Sequence, residues 1–401
     1  MDMADIKKRV PKSETQNRIV KLQRQLTHQQ IDGALIIQNA DLYYFSATIQ
    51  QAYLYVPQWG DPLLMVRKNL LEAQSESSIE NIVPLKSPKE VLDLIKAHGH
   101  DLPRIMGMEL DVLPTNLFFH FQKLFDQIKI KDISNVIRNL RSVKSAYEID
   151  IIEKATRLSE KVAARVPDFL REGMTEMELA GLVEAEARKF GHPGIVRMRM
   201  WGGEVFFGHL LSGPSAAVPS YLESPTGGLG PNPAVAQGAS MTKIGRHQPI
   251  MLDYAFVLNG YISDNARIFA IGDLPEDLIK THQAMLSIQE AIKNAARPGV
   301  SSGELYNLAW EKAHALNCQD VFMGCDDQRV RFVGHGVGLE IDEYPFIAQG
   351  QSLLLKEGMV IALEPKAIIP GKGVVGIENT HVVTQDGLRQ LTTLEEQICI
   401  V

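Results

Sequence analysis

Residues 249–271, PIMLDYAFVLNGYISDNARIFAI, constrain the fold more than any other part of the chain. Asn259-Gly260 lies between two apolar runs, and such a pair is a strong hairpin signal because a type I′ turn needs positive φ at both central residues. Placing those residues at the turn sets Leu258 opposite Tyr261, and therefore Ala255 opposite Asp264. Asp253 lies two residues from Ala255, and side chains return to the same face of a strand at every second residue. The two aspartates become diagonal cross-strand neighbours, within reach of a common ligand. Two acids on strands this apolar would repel each other when buried, and cations are the usual remedy.

Three further acids and bases follow in order. His335 sits in Gly334-His-Gly-Val-Gly338, where the glycines let the backbone approach a bound group and leave the imidazole uncrowded. Residues 359–364 (MVIALE) and 374–378 (VVGIE) are apolar runs that each end in a glutamate, on either side of a Pro370-Gly-Lys-Gly373 turn. A buried glutamate at the end of such a run is rare without a partner. Asp253, Asp264, His335, Glu364 and Glu378 together offer four carboxylates and one imidazole, a donor set suited to two divalent cations. Paired ions held in this way activate a water for hydrolysis. Oxygen-rich sites accept manganese, cobalt, zinc or iron according to availability, with manganese or cobalt expected here.

At 401 residues the chain exceeds one typical core, which predicts two domains. A formal net charge of −7 argues against a nucleic-acid or anionic-membrane partner. Three cysteines with no CxxC pair point to a reducing, cytoplasmic setting rather than a disulfide framework. The N-terminus lacks the apolar segment of a signal peptide, and no stretch approaches the length of a membrane span.

In the first third, helical spacing over 14–31 is followed by strand-like runs at 33–38, 42–47, 52–57 and 62–67. Helical segments near 88–97 and 115–125 flank IMGMEL at 105–110, and the alternation predicts an α/β domain. Ser145-Ala-Tyr-Glu148 and Thr175-Glu-Met-Glu178 have the form of capping boxes that open helices, and Gly191 ends the second. The boundary is placed between domains 1–143 and 144–401. Residues 201–249 are rich in Gly, Pro and Ser and read as strands joined by long surface loops, which in compact domains are often functional.

The motifs DYAFVLNGYISDNARIF, GHGVGLEIDEYP, LEPK and GIENTHVV, with the junction RSVKSAYEIDIIEKA, resemble the pita-bread metallohydrolases, a family that includes aminopeptidase P, prolidase, methionine aminopeptidase and creatinase. The resemblance covers nearly the whole chain. It implies an α+β protein, with a C-terminal pita-bread fold (a curved antiparallel sheet flanked by helices) preceded by a smaller three-layer α/β creatinase-like domain. It implies that Asp264 and Glu378 bridge two metal ions, that Asp253 binds one and that His335 and Glu364 bind the other. Glu364 would be the catalytic proton shuttle between a metal-bridging water and the leaving amine. The activity implied is that of an Xaa-Pro aminopeptidase or dipeptidase acting on a small peptide. A homodimer is implied too, in which Tyr53, Tyr55 and Trp59 could line the partner's cleft.

The chain departs from the peptidase pattern around those ligands. The peptidases carry a histidine seven residues after the metal histidine and another after an SG-x-N turn; Asp342 and Ser220 stand at these positions. Four residues before the metal histidine, where histidine is also common, stands Arg331. Such imidazoles stabilise the developing oxyanion, and losing a pre-organised donor costs about 10²–10³ in rate. Asp342 could instead grip a cationic or amide N–H group of the substrate, and His209, Arg331 or Arg199 could supply the donor. The alternatives are therefore hydrolysis of a non-peptide amide or amidine metabolite, or a metal-binding homologue without catalysis. Arg267, with odd parity relative to Asp264, is expected on the other sheet face, bracing the site through an ion pair.

Overall fold

The computed structural model describes residues 9–401, which fall into two compact units meeting in sequence at Arg141 and Ser142. The first unit is a six-stranded mixed sheet with helices. In chain order the strands are β1 (Gly33–Ile36), β2 (Ala52–Pro57), β3 (Leu63–Val66), β4 (Asn81–Pro84), β5 (Ile105–Met108) and β6 (Lys129–Asp132), and in space they run β4-β3-β2-β1-β5-β6. The two central pairings are antiparallel and the outer three parallel, and helices Leu70–Glu76 and Thr115–Leu124 return the chain between the parallel neighbours β3 and β4 and β5 and β6.

Two sequence expectations fail in this unit. Residues 42–47 do not form a strand but belong to the helix Asn39–Ser46. The Gln38 side chain caps its first turn by accepting from Asp41 N at 2.8 Å, and Arg18 lies 4.3 Å from the Tyr44 ring centroid and donates to Tyr44 O. A short apolar run buried on all sides carries no periodicity that separates helix from strand. Tyr53 and Tyr55 also differ from expectation: both are packed in the hydrophobic core of this unit, whereas Trp59 is exposed. Neither tyrosine can line a cleft.

The second unit is built on antiparallel sheet. Strands β7 (Gly208–Ser212), β8 (Ile250–Leu258) and β9 (Tyr261–Ala270) form one sheet with the short C-terminal β17 (Cys399–Ile400) at its edge. Strands β10 (Phe332–Gly336), β11 (Glu343–Ala348), β12 (Val360–Leu363), β15 (Asn379–Thr384) and β16 (Gly387–Gln390) form a second, and β13 (Lys366–Ile369) pairs with β14 (Gly373–Gly376). A backbone bridge between Ala266 and Glu378 joins the first sheet to the segment leading into β15, so the sheets curve around a common hollow.

Helices cover the outer faces. Ala146–Ala163 opens with the capping box Ser145/Glu148, and Glu176–Lys189 with Thr175/Glu178, as their sequences predict; the latter ends before Gly191 at φ 97°. The first is tied to the sheet by polar contacts, Tyr261 Oη to Glu148 at 2.9 Å and Asn265 Nδ2 to Ser159 Oγ at 2.7 Å. Glu276–Ala295 and Ser302–Ala315 bury Met285, Ile288, Leu305 and Ala309 in one core with Val333, Ile361 and Leu363 of the second sheet. That core holds the back of β10 and β12 rigid, leaving their other faces to the hollow. Residues 201–249 contain β7 and the short helix Gly213–Ala216, and are otherwise loops. Among the described residues no helix is long and apolar enough to cross a membrane.

Candidate metal centre

The β8–β9 hairpin turns as its sequence requires. Asn259 and Gly260 have φ of 49° and 85°, Leu258 pairs with Tyr261, and Ala255 pairs with Asp264. Asp253 and Asp264 therefore share the face that lines the hollow, and both border a cavity of about 430 Å³. His335 reaches the same cavity from β10, Glu364 from the end of β12, and Glu378 from the residue bridged to Ala266. Asp264, Glu364 and Glu378 are buried, and all five sequence-predicted ligands border one space.

Their spacing fits a cation. His335 Nε2 lies 3.6 Å from Glu364 Oε1 and 3.9 Å from both Asp264 Oδ2 and Glu378 Oε1. These distances are too long for hydrogen bonds. Ligand atoms each roughly 2.1 Å from a shared ion lie about 3–4 Å from one another, so the gap matches an ion's place. Ligand atoms of Asp264, His335 and Glu378 all fall within 4.8 Å of one another. The carboxylates also show the strain of crowding. Burial, then the charge of Asp253, raises Asp264 to about 7, and burial with Asp264 beside it holds Glu378 well above the usual range. Acids that resist ionisation in this way are those a positive ligand would relieve.

Sequence reasoning missed one member of the centre. Lys366, with a side chain only 2% exposed, donates to Asp253 Oδ2 at 2.7 Å, Glu364 Oε2 at 2.8 Å and Glu378 Oε2 at 2.9 Å. Burial alone would push this ammonium down, but the three carboxylates outweigh it and hold it well above its ordinary value. The available signal was parity: Glu364 and Lys366 are two residues apart and so fall on one face of an extended chain.

The other predicted residues divide. His209, Arg331 and Asp342 border the cavity; Ser220 is not among its lining residues, and its Oγ instead accepts from Leu222 N within its own loop. Burial lowers His209, favouring the neutral ring, and its Nδ1 lies 3.1 Å from Thr226 Oγ1. Both Asp342 oxygens accept backbone N–H groups, Oδ1 from Arg199 at 2.8 Å and Oδ2 from Met200 at 2.9 Å. Asp342 therefore anchors the loop whose Met198 and Met200 form part of the cavity wall, with Val205, Phe206 and Leu222 beside them. Arg199 is directed to Glu340, 3.4 Å away in a buried pair. Arg267 does face away from the ligands, but its five N–H groups go to four backbone carbonyls (Ala266, Glu378, Leu394 and Glu395) and to Asn379 Oδ1 rather than to an ion-pair partner.

Comparison with known proteins places both units in known families. Residues 150–385 match the model of metallopeptidase family M24, and residues 18–143 match that of the creatinase/prolidase N-terminal domain. The Xaa-Pro dipeptidase of Pyrococcus furiosus is 30% identical over 384 residues, 95% of this chain and 99% of that protein. The solved prolidase of Pyrococcus horikoshii OT3 superposes with a TM-score of 0.79 at 27% identity, over 94% of this chain and 99% of that one. The Xaa-Pro dipeptidase structure from Bacillus anthracis superposes with a TM-score of 0.82 at 23% identity, over 96% and 100% of the two chains.

Proposed function

The chain belongs to metallopeptidase family M24, and from that membership we propose that it is a metal-dependent hydrolase of a small peptide or peptide-like C–N bond, with an Xaa-Pro dipeptide as substrate. The observation that carries the proposal is the convergence of Asp253, Asp264, His335, Glu364 and Glu378 on the floor of one cavity. The ligand set by itself suggests two divalent ions, manganese or cobalt by its oxygen-rich chemistry. When bound, such ions would supply an activated water and polarise the scissile carbonyl. Glu364 accepts the proton that the water gives up on attack and returns it to the leaving amine. His209 and Arg331, both on the cavity wall, would donate to the carbonyl oxygen as it gains charge. The apolar wall of Met198, Met200, Val205, Phe206 and Leu222 receives the substrate's side chains and excludes water. A homodimer and a cytoplasmic setting belong to the same proposal, on the resemblance and on cysteine usage.

A second reading, hydrolysis of a non-peptide amide or amidine, is favoured by Asp342 and Arg331 on the cavity wall where peptidases of this family carry histidines. A panel of Xaa-Pro dipeptides and N-terminal Xaa-Pro peptides, assayed with Mn²⁺ or Co²⁺, separates the two. Turnover of any member supports the first reading. Inactivity on every member, in protein shown to hold metal, removes it in favour of the second.

A further inference from the structure

The buried ammonium of Lys366 is placed as a cation would be. An ammonium has three N–H donors and no acceptor, and each of the three finds a carboxylate, those of Asp253, Glu364 and Glu378, at 2.7 to 2.9 Å. Glu364 and Glu378 each turn one oxygen to Lys366 and the other toward His335. The five-ligand centre is thus already divided into two halves. One, around Asp253, surrounds the ammonium. The other, around Asp264 and His335, shows the open spacing that fits an ion, and Asp264, His335 and Glu378 form the metal-type cluster found among the described residues.

The lysine is also fixed in place by its backbone. Lys366 pairs with Gly376 across the β13–β14 ladder, and its carbonyl accepts from Met323 N at 2.8 Å. A Cβ built at Gly376 would come within 2.7 Å of Lys366 Cα and 3.2 Å of its Cγ, so the stem lies over a place that only a glycine leaves free. A divalent ion bound to the oxygens that the ammonium now contacts would meet a like charge at contact distance, with no room between them.

We propose that Lys366 is a resident cation occupying the Asp253 half of the centre, so that this chain binds one divalent ion, in the half formed by Asp264, His335, Glu364 and Glu378. The inference rests on the reading of these residues as a metal centre, and it revises the count of two that the ligand set alone suggests. Asp253 then serves as a partner of the lysine, and the oxygens of Glu364 and Glu378 that face Lys366 are oriented by it.

The test is ion stoichiometry in the full-length protein, stripped with chelator, reloaded with MnCl₂ and measured by equilibrium dialysis with elemental analysis. The proposal expects one Mn²⁺ per chain in the wild type, two in Lys366→Gly and still one in Asp253→Asn. Anomalous diffraction at the manganese edge should place the wild-type ion beside His335. Two ions in the wild type, with one lost in Asp253→Asn, overturn the proposal and leave the metallohydrolase reading standing. One ion in both the wild type and a folded Lys366→Gly also overturns it, since the lysine would then exclude nothing. No ion in a folded wild type or either variant overturns the metal reading itself, together with the inference drawn from it. Should Lys366→Gly not fold, Asp253→Asn and the ion's position still decide the matter.

Discussion

Replacing Arg267 by lysine keeps the charge and most of the stem, yet it should be among the more damaging single changes in the C-terminal unit. The side chain is buried at 3% exposure, and its five N–H groups make five bonds of 2.7 to 2.9 Å. A lysine ammonium has three donors on a compact head and cannot span acceptors on separate segments as the guanidinium fork does. Ala266 O and Glu378 O retain a partner in each other's backbone N–H across their bridge. The cost therefore falls on Leu394 O, Glu395 O and Asn379 Oδ1, of which one can still be reached. Asn379 Oδ1 is buried while the Leu394 and Glu395 carbonyls are part-buried, so two stranded acceptors give a loss of roughly 1–4 kcal/mol. Because one bond from Arg267 holds the carbonyl of Glu378, metal affinity should fall along with stability. Urea unfolding followed by circular dichroism measures the first, at constant m-value so that the midpoint reports stability alone. Amide exchange at residues 264–268 locates the loss. A destabilisation under about 1 kcal/mol with exchange unchanged would refute the reasoning, since these acceptors would then have found water or other partners.

Three other changes follow from the geometry. Glu364→Gln should lower kcat on an Xaa-Pro dipeptide by about 10²–10⁴ while the chain still binds metal; unchanged turnover would remove Glu364 from proton transfer. Asp342→Asn leaves one acceptor oxygen for the two N–H groups of Arg199 and Met200, so those amides should exchange faster and KM should rise more than kcat falls; equal protection in the variant argues against the anchor. Burial lowers His381 from 6.5 to about 4, so the folded state favours its neutral ring. Its contribution is complete above pH 6.5 and is lost as pH falls toward 4, at up to about 1.4 kcal/mol per pH unit, and the midpoint-versus-pH curves of wild type and His381→Gln should converge over that window.

The parts of the centre legible in sequence are those fixed by local chain chemistry. Asn259-Gly260 specifies a turn, the turn specifies a register, and the register puts Asp253 and Asp264 on one face. The capping boxes at Ser145 and Thr175 are equally local. What escaped depends on contacts far along the chain. The helix Asn39–Ser46 was hidden because burial from all sides erases periodicity, and the guanidinium that covers Tyr44 comes from Arg18. Asp342 could be placed near the metals by its spacing from His335, but its bonding to residues 199 and 200, more than 140 positions away, has no sequence signature. Lys366 lay within reach of a parity argument. Glu364 and Pro365 interrupt the strand before it resumes at Lys366, and an ammonium among apolar neighbours reads as a surface residue until the acids around it are located.

The substitution of the expected imidazoles and the presence of Lys366 at the centre bear on one electrostatic balance. Two dications would neutralise the four carboxylates; an ammonium and a single dication leave the centre one unit more negative. A carbonyl gaining charge in such a site has more to overcome, and a neutral imidazole offers it only a dipole. Arg331 stands where such an imidazole is common and carries a full positive charge. Arg331 also lies at the solvent-facing part of the wall, so it can serve as a donor without the large desolvation cost that a second buried cation would incur. On this argument the departures from the peptidase pattern compensate one another: cationic charge removed from the metal positions reappears on the wall that faces the substrate.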